Sequence, residues 1–184
     1  MAGLVELELD MNQPRPFINV ATDYGVFDCL IDTGASMPVW CGESILLTSY
    51  YPEAKPTKYL ALIAGYGKGY QVARVWVVPE FMIIDKENRN QYRINNLYIA
   101  VAPKKRFGFL MIASATMFAG VNYTIVNCIE HEKKSVFRIE EVRDSYYGTP
   151  RIYQDNELIN LLKRNGEMDD QDILIEYSTV FTQE

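Results

Sequence analysis

Leu30-Ile31-Asp32-Thr33-Gly34-Ala35-Ser36 runs an apolar strand straight into a carboxylate, a hydroxyl and a glycine. Each residue type has a physical use at its place. A carboxylate at the end of a rigid strand is held more tightly than one on a loop. Thr33 offers a hydroxyl to a neighbouring backbone group. Gly34 lets the chain turn sharply and lets another group approach the backbone. Ser36 is placed to hydrogen-bond an oxygen of Asp32 and orient it. By residue frequencies the bare Asp-Thr-Gly tripeptide occurs by chance in roughly 2% of chains this long. The apolar approach and the trailing Ala-Ser lower that by about two orders of magnitude. An ordinary Asp-Thr-Gly turn at a strand end is the plainer alternative.

Working outward, the first 130 residues predict a mainly β chain. Leu4-Val5-Glu6-Leu7-Glu8-Leu9 alternates as a half-buried strand does, with Glu6 and Glu8 toward solvent. Phe17 to Val20 and Val26 to Ile31 flank Thr22-Asp23-Tyr24-Gly25, which predicts a hairpin leading into Asp32. Tyr59 to Ile63 and Tyr70 to Val78 flank Ala64-Gly65-Tyr66-Gly67-Lys68-Gly69, a second hairpin with a glycine-rich tip. Leu97 to Val101 is a further strand, Ser114 to Phe118 a short helix closed by Gly120, and Val121 to Val126 a returning strand.

His131-Glu132-Lys133-Lys134 is a polar break, and the character changes after it. Asp155 or Asn156 is placed to cap a helix through Leu158, Ile159, Leu161 and Leu162 that ends at Asn165-Gly166. Asp172 to Tyr177 predicts a last strand. The expected organisation is a core domain over residues 1–130 and a C-terminal α/β extension over 131–184 packed on it.

The chain has 184 residues, 48% of them hydrophobic and 23% charged, with a net charge of -6. That balance predicts a globular protein without the basic face a nucleic-acid partner needs, and Lys104-Lys105-Arg106 is too short to supply one. No apolar run approaches the roughly 20 residues of a membrane span, so no membrane partner is expected. The N-terminus lacks the pattern of a secretory signal, and Cys29, Cys41 and Cys128 are an odd number, which together predict reduced thiols in a cytoplasmic protein. Cys29, three residues before Asp32, is expected to be a small buried residue. Cys41 and Cys128 lack a nearby cysteine partner, so no metal site is expected. His131 is the one histidine and lies among charged residues, a poor setting for a Cys-His or Ser-His-Asp set. Trp40 and Trp76 belong to the core or to a substrate pocket, with core preferred.

Asp32-Thr33-Gly34-Ala35-Ser36 after two apolar residues resembles the catalytic signature of the retroviral-type aspartic proteases, the retropepsins. The likeness covers roughly residues 1 to 130. It implies a closed β-barrel subunit of the acid protease fold. It also implies a flap over the substrate some thirty to forty residues after the catalytic Asp, where Ala64, Gly65, Tyr66, Gly67, Lys68 and Gly69 stand. Met111-Ile112-Ala113 before Ser114 to Phe118 resembles the family's late apolar pair and glycine before a short helix, with Ala113 in the glycine's place. Phe107-Gly108-Phe109 is a second placement, with no helix directly after it.

The motif occurs once, which implies a homodimer in which Asp32 and its symmetry mate act together. Thr33, by resemblance, would lock the two loops across the axis. Two carboxylates about 3 Å apart share one proton, activate a water and need no cofactor. The substrate implied is a peptide or protein bound in extended form. The runner-up is a non-catalytic dimer of the same fold that binds peptides or mediates assembly. A third possibility is an unrelated small β-barrel with the glycine-rich loop as a ligand lid.

Overall fold

A computed structural model of the chain describes residues 4–9, 15–64, 69–118, 121–126, 134–140, 145–146 and 151–176. The chain is mainly β. In order it forms β1 (Val5–Glu8), β2 (Phe17–Thr22), β3 (Gly25–Asp32), β4 (Val39–Trp40), helix α1 (Ser44–Tyr50), β5 (Lys55–Ala64), β6 (Tyr70–Asp85), β7 (Asn90–Val101) and β8 (Met111–Ser114). A single 3-10 turn, Ala115–Phe118, precedes β9 (Asn122–Val126). β10 (Val136–Glu140), β11 (Ser145–Tyr146), β12 (Arg151–Ile152), helix α2 (Asn156–Arg164) and β13 (Ile173–Glu176) complete it.

The expected hairpins form. β2 and β3 pair antiparallel from Phe17↔Leu30 to Thr22↔Gly25, and β5 and β6 pair up to Ala64↔Tyr70. Both β6 and β7 run longer than the alternation suggests and pair from Arg74↔Val101 to Asp85↔Asn90. The buried carboxylate of Asp85 closes their turn by accepting from the side chain and backbone of Asn88, and it also takes the Glu6 N–H at 2.8 Å. These hydrogen bonds outweigh burial and hold Asp85 below the usual carboxylate range.

One sheet has ten strands in the order β12-β13-β5-β6-β7-β4-β8-β3-β2, with β11 added beside β7. The other has three, β1-β10-β9. The closed barrel expected from the motif is not what this pairing describes. Among the described residues the large sheet is an open path that ends at β12 and β2.

The segment after residue 130 enters both sheets. β10 lies between β1 and β9, and Phe137 and Ile139 on it are fully buried in the main core. β13 adds parallel to β5, at Ile173↔Tyr59 through Ile175↔Ala61. α2 forms as its cap predicts: Asp155 accepts from the Glu157 and Leu158 N–H groups, and Gly166 takes a positive φ after its end. Its Leu162 packs with Leu60, Met168 and Leu174. Arg74 on β6 reaches Asp172, just before β13, at 2.7 Å.

Trp40 is fully buried and donates from Nε1 to the Glu43 carbonyl, so it belongs to the core. Cys29 and Cys41 are buried cysteines, and burial pushes the Cys29 thiol far above its ordinary range. Glu6 and Glu8 face out but pair with Arg138 and Lys134 on the neighbouring segment. Cys128 and His131 lie outside the described residues. No helix among the described residues is long and apolar enough to cross a membrane.

Candidate active site

β3 alternates: Phe27, Cys29 and Ile31 are buried in the main core, while Leu30 and Asp32 fall on the opposite face with the period of two that a strand imposes. Asp32 is the last residue of the strand. Its place is set by a long-range arrangement. β8 lies between β3 and β4, parallel to the first and antiparallel to the second. Asp32 is thereby the register partner of Ser114, and Ile31 of Ala113. Of the two placements open in the sequence, Met111-Ile112-Ala113 is therefore the one beside the Asp32 strand, and the 3-10 turn follows directly. Ala113 is buried in the main core, so its methyl group fills space there.

The loop after Asp32 is tied at several points. The Gly34 N–H donates to Asp32 Oδ1 at 3.0 Å, and the Ala35 N–H donates to the Asp32 carbonyl at 3.1 Å. Thr116 Oγ1 donates to the Ser36 carbonyl at 3.3 Å and lies 2.6 Å from the buried Ser114 hydroxyl. Tyr92, fully buried on β7, donates its hydroxyl to the Met117 carbonyl and anchors the 3-10 turn from beneath. Ser36 is thus held through its backbone. Among the described residues the hydrogen bond to the Asp32 carboxylate comes from Gly34, not from the Ser36 hydroxyl expected there. Thr33 and Gly34 are exposed, Asp32 and Ala35 half-buried.

Asp32 opens into a cleft of about 750 Å³. Leu30, Gly34, Ala35, Ser36, Met37 and Val39 line it from the β3–β4 side. Leu62, Ile63 and Ala64, at the end of one arm of the β5–β6 hairpin, line it from across. Phe107, Phe109 and Ile112 form an apolar wall, with the two phenyl rings stacked 5.0 Å apart. Of the expected flap, Ala64 and Gly69 are described, Gly69 with φ of 80°. Gly65, Tyr66, Gly67 and Lys68 lie outside the described residues.

Sequence reasoning does not single out Arg15, Phe107, Phe109 or Ile112 as site residues, yet all four line the cleft. Arg15 does carry a local signal, since it stands between Pro14 and Pro16 just before a strand, where the backbone has little freedom. Phe107, Phe109 and Ile112 stand in the two placements of the late apolar motif, and only the fold shows that they line the cleft. No group of three or more His, Cys, Asp or Glu side chains suited to a metal ion occurs among the described residues.

No family model and no curated protein matches this sequence. Among solved structures, the crystal structure of a retropepsin-like aspartic protease from Rickettsia conorii is similar over 78% of this chain and 96% of its own, at 12% identity and a TM-score of 0.48.

Proposed function

We propose that this chain is an aspartic endopeptidase of the retropepsin type, completed by homodimerisation, with Asp32 as its catalytic carboxylate. The observation that carries the reading is the placement of Asp32. It ends a rigid strand inside an Asp-Thr-Gly-Ala-Ser loop and opens into an apolar cleft faced by an arm of the β5–β6 hairpin. A cleft walled by apolar side chains beside a β-hairpin arm suits an extended peptide, which binds by main-chain hydrogen bonds with alternate side chains in pockets. The hairpin from Ala64 to Gly69 is the flap of this reading, and its closure would exclude water.

One chain supplies one such carboxylate, and the reaction needs a base and an acid. A two-fold axis beside Asp32 brings in the second, with the exposed Thr33 positioned to meet its mate. The pair holds one proton. The ionised carboxylate takes a proton from water as the water oxygen bonds to the scissile carbonyl carbon. The protonated carboxylate gives its proton to the carbonyl oxygen, and a tetrahedral diol results. In its collapse the leaving nitrogen takes a proton from one carboxyl, a diol hydroxyl returns one to the other, and the C–N bond breaks. The pair ends as it began, with one proton and no covalent enzyme intermediate.

The test is cleavage of an unfolded protein by wild type and by Asp32→Asn. The substitution keeps shape and removes charge, so it is expected to leave a folded dimer with less than about 1% of wild-type activity. A folded Asp32→Asn protein that still cleaves overturns the reading. A wild type that binds peptides without cleaving them favours the non-catalytic peptide-binding dimer.

A further inference from the structure

The β5–β6 hairpin reaches farther than the strand beside it. β6 pairs with β7 from Arg74↔Val101 onward, so residues 70–73 and the residues opposite them on β5, 61–64, extend past that pairing. Leu62, Ile63 and Ala64 in this overhang wall the cleft across from Asp32. A two-stranded ribbon is marginal by itself and needs a third strand or a packed layer. Among the described residues that support comes from the C-terminal segment. β13 runs parallel to β5 as far as Ile175↔Ala61, and without it β5 would be the edge of the sheet. Arg74, where the β7 pairing begins, is tied to Asp172 at 2.7 Å.

The side chains of β13 divide with the period of two of a strand. Ile175 is buried in the apolar cluster that holds Met37, Val39 and Phe109 of the cleft wall, with Ile63 packed against it. Leu174 is buried with Leu60, Leu162 and Met168 instead, and the cross-strand pair Leu62 and Val72 packs against that second cluster. Leu62 is thus shared: it lines the cleft and rests on the layer that α2 brings through the fully buried Leu162. We propose that Leu162 is a positioning residue of the substrate cleft. Through Leu62 it fixes the hairpin wall that a bound peptide meets, so the docking of α2 and β13 sets affinity for substrate and not the rate of the chemical step. By linkage, a peptide in the cleft holds α2 and β13 more firmly in return. The proposal rests on the peptidase reading for its substrate, and it gives residues 151–176 a role in binding as well as in the fold.

The test measures cleavage of one apolar peptide by wild type, Leu162→Ala, the milder Leu162→Val, and Leu47→Ala, which removes a buried leucine of α1 from the main core. Leu162→Ala is expected to raise KM about fivefold with kcat within about twofold, the mark of binding lost equally from ground and transition state. Leu162→Val is expected to raise KM by about twofold, and Leu47→Ala to leave it at the wild-type value. In Asp32→Asn protein the same peptide, fluorescently labelled, should bind more weakly by the same factors. Amide hydrogen exchange in residues 156–164 and 173–176 should slow when that peptide binds, and Leu162→Ala should remove this effect. A KM raised as much by Leu47→Ala assigns the change to general loss of stability; it overturns the inference and leaves the peptidase intact. So does a fall in kcat at unchanged KM, and so does a wild-type KM in folded Leu162→Val. Peptide binding that Leu162→Ala weakens and Leu47→Ala does not, with no cleavage by wild type, overturns the peptidase and upholds the role of Leu162.

Discussion

The Gly34 N–H donates to Oδ1 of Asp32 at 3.0 Å, and a Cβ built on Gly34 would stand 3.3 Å from that same oxygen. The two facts belong together. A Cβ there would crowd the oxygen that the N–H holds, so the glycine leaves room for the acid in this orientation.

Gly34→Ala should therefore shift the carboxylate by a few tenths of an ångström while leaving the fold intact. Catalysis depends steeply on such placement, so kcat/KM is expected to fall about tenfold or more, with little change in thermal midpoint. Full activity in the folded variant would show that this contact does not set the position of Asp32.

Assembly makes a separate prediction. Specific activity should fall on dilution below the dimer dissociation constant, because a lone protomer holds one carboxylate. After subunit exchange between equal amounts of wild type and Asp32→Asn, random pairing leaves about a quarter of dimers with two Asp32 residues. Activity per total protein should drop to about a quarter of the pure wild-type value. A drop to one half, with no dilution effect, would mean that each chain carries a complete site.

Removal of residues 131–184 should unfold the protein, because β10 is the middle strand of its sheet. Loss of Phe137 and Ile139 empties fully buried positions of the main core, and large-to-small changes at such positions cost about 2–5 kcal/mol each. Phe137→Ala alone is expected to lower stability by about 3 kcal/mol in urea melts. A truncated chain that melts cooperatively would establish residues 1–130 as an independent domain.

The Arg74–Asp172 pair sets a pH dependence. The hydrogen bond from Arg74 holds the Asp172 carboxyl below the usual carboxylate range; burial opposes this, and the Asp169 N–H adds to it. Because the folded pKa is the lower one, the unfolded chain binds more protons in the window between the two values, and stability rises with pH there. The contribution is complete above the ordinary Asp value of about 3.9 and is lost as pH falls through the folded value. Asp172→Asn should cost about 1 kcal/mol near neutral pH, and its gap to wild type should close in acid. A gap independent of pH would mean that packing, not charge, links β6 to β13.

Much of the local structure was legible in the chain. Alternation and a turn tetrad predict the β2–β3 hairpin, Asp155 or Asn156 predicts the start of α2, and the apolar run into Asp32 predicts a carboxylate at a strand end. Each depends on residues within a few positions of one another, where period, capping and turn chemistry act. Helix α1 was not legible, because Glu43 makes no side-chain cap and the helix has only seven residues.

What joins distant segments came from the tertiary structure alone. The sequence by itself determined a mainly β chain with a carboxylate in an Asp-Thr-Gly-Ala-Ser loop at a strand end. Only the fold decided that β8, some eighty residues on, slides between β3 and β4 and sets Ser114 beside Asp32. Only the fold put β10 between β1 and β9, left the large sheet an open path among the described residues, and brought Arg15 and Phe109 into one cleft. The physical reason is that a strand's alternation says which face is apolar but not which neighbour it will meet. Partner and register are chosen by burial of the whole set at once.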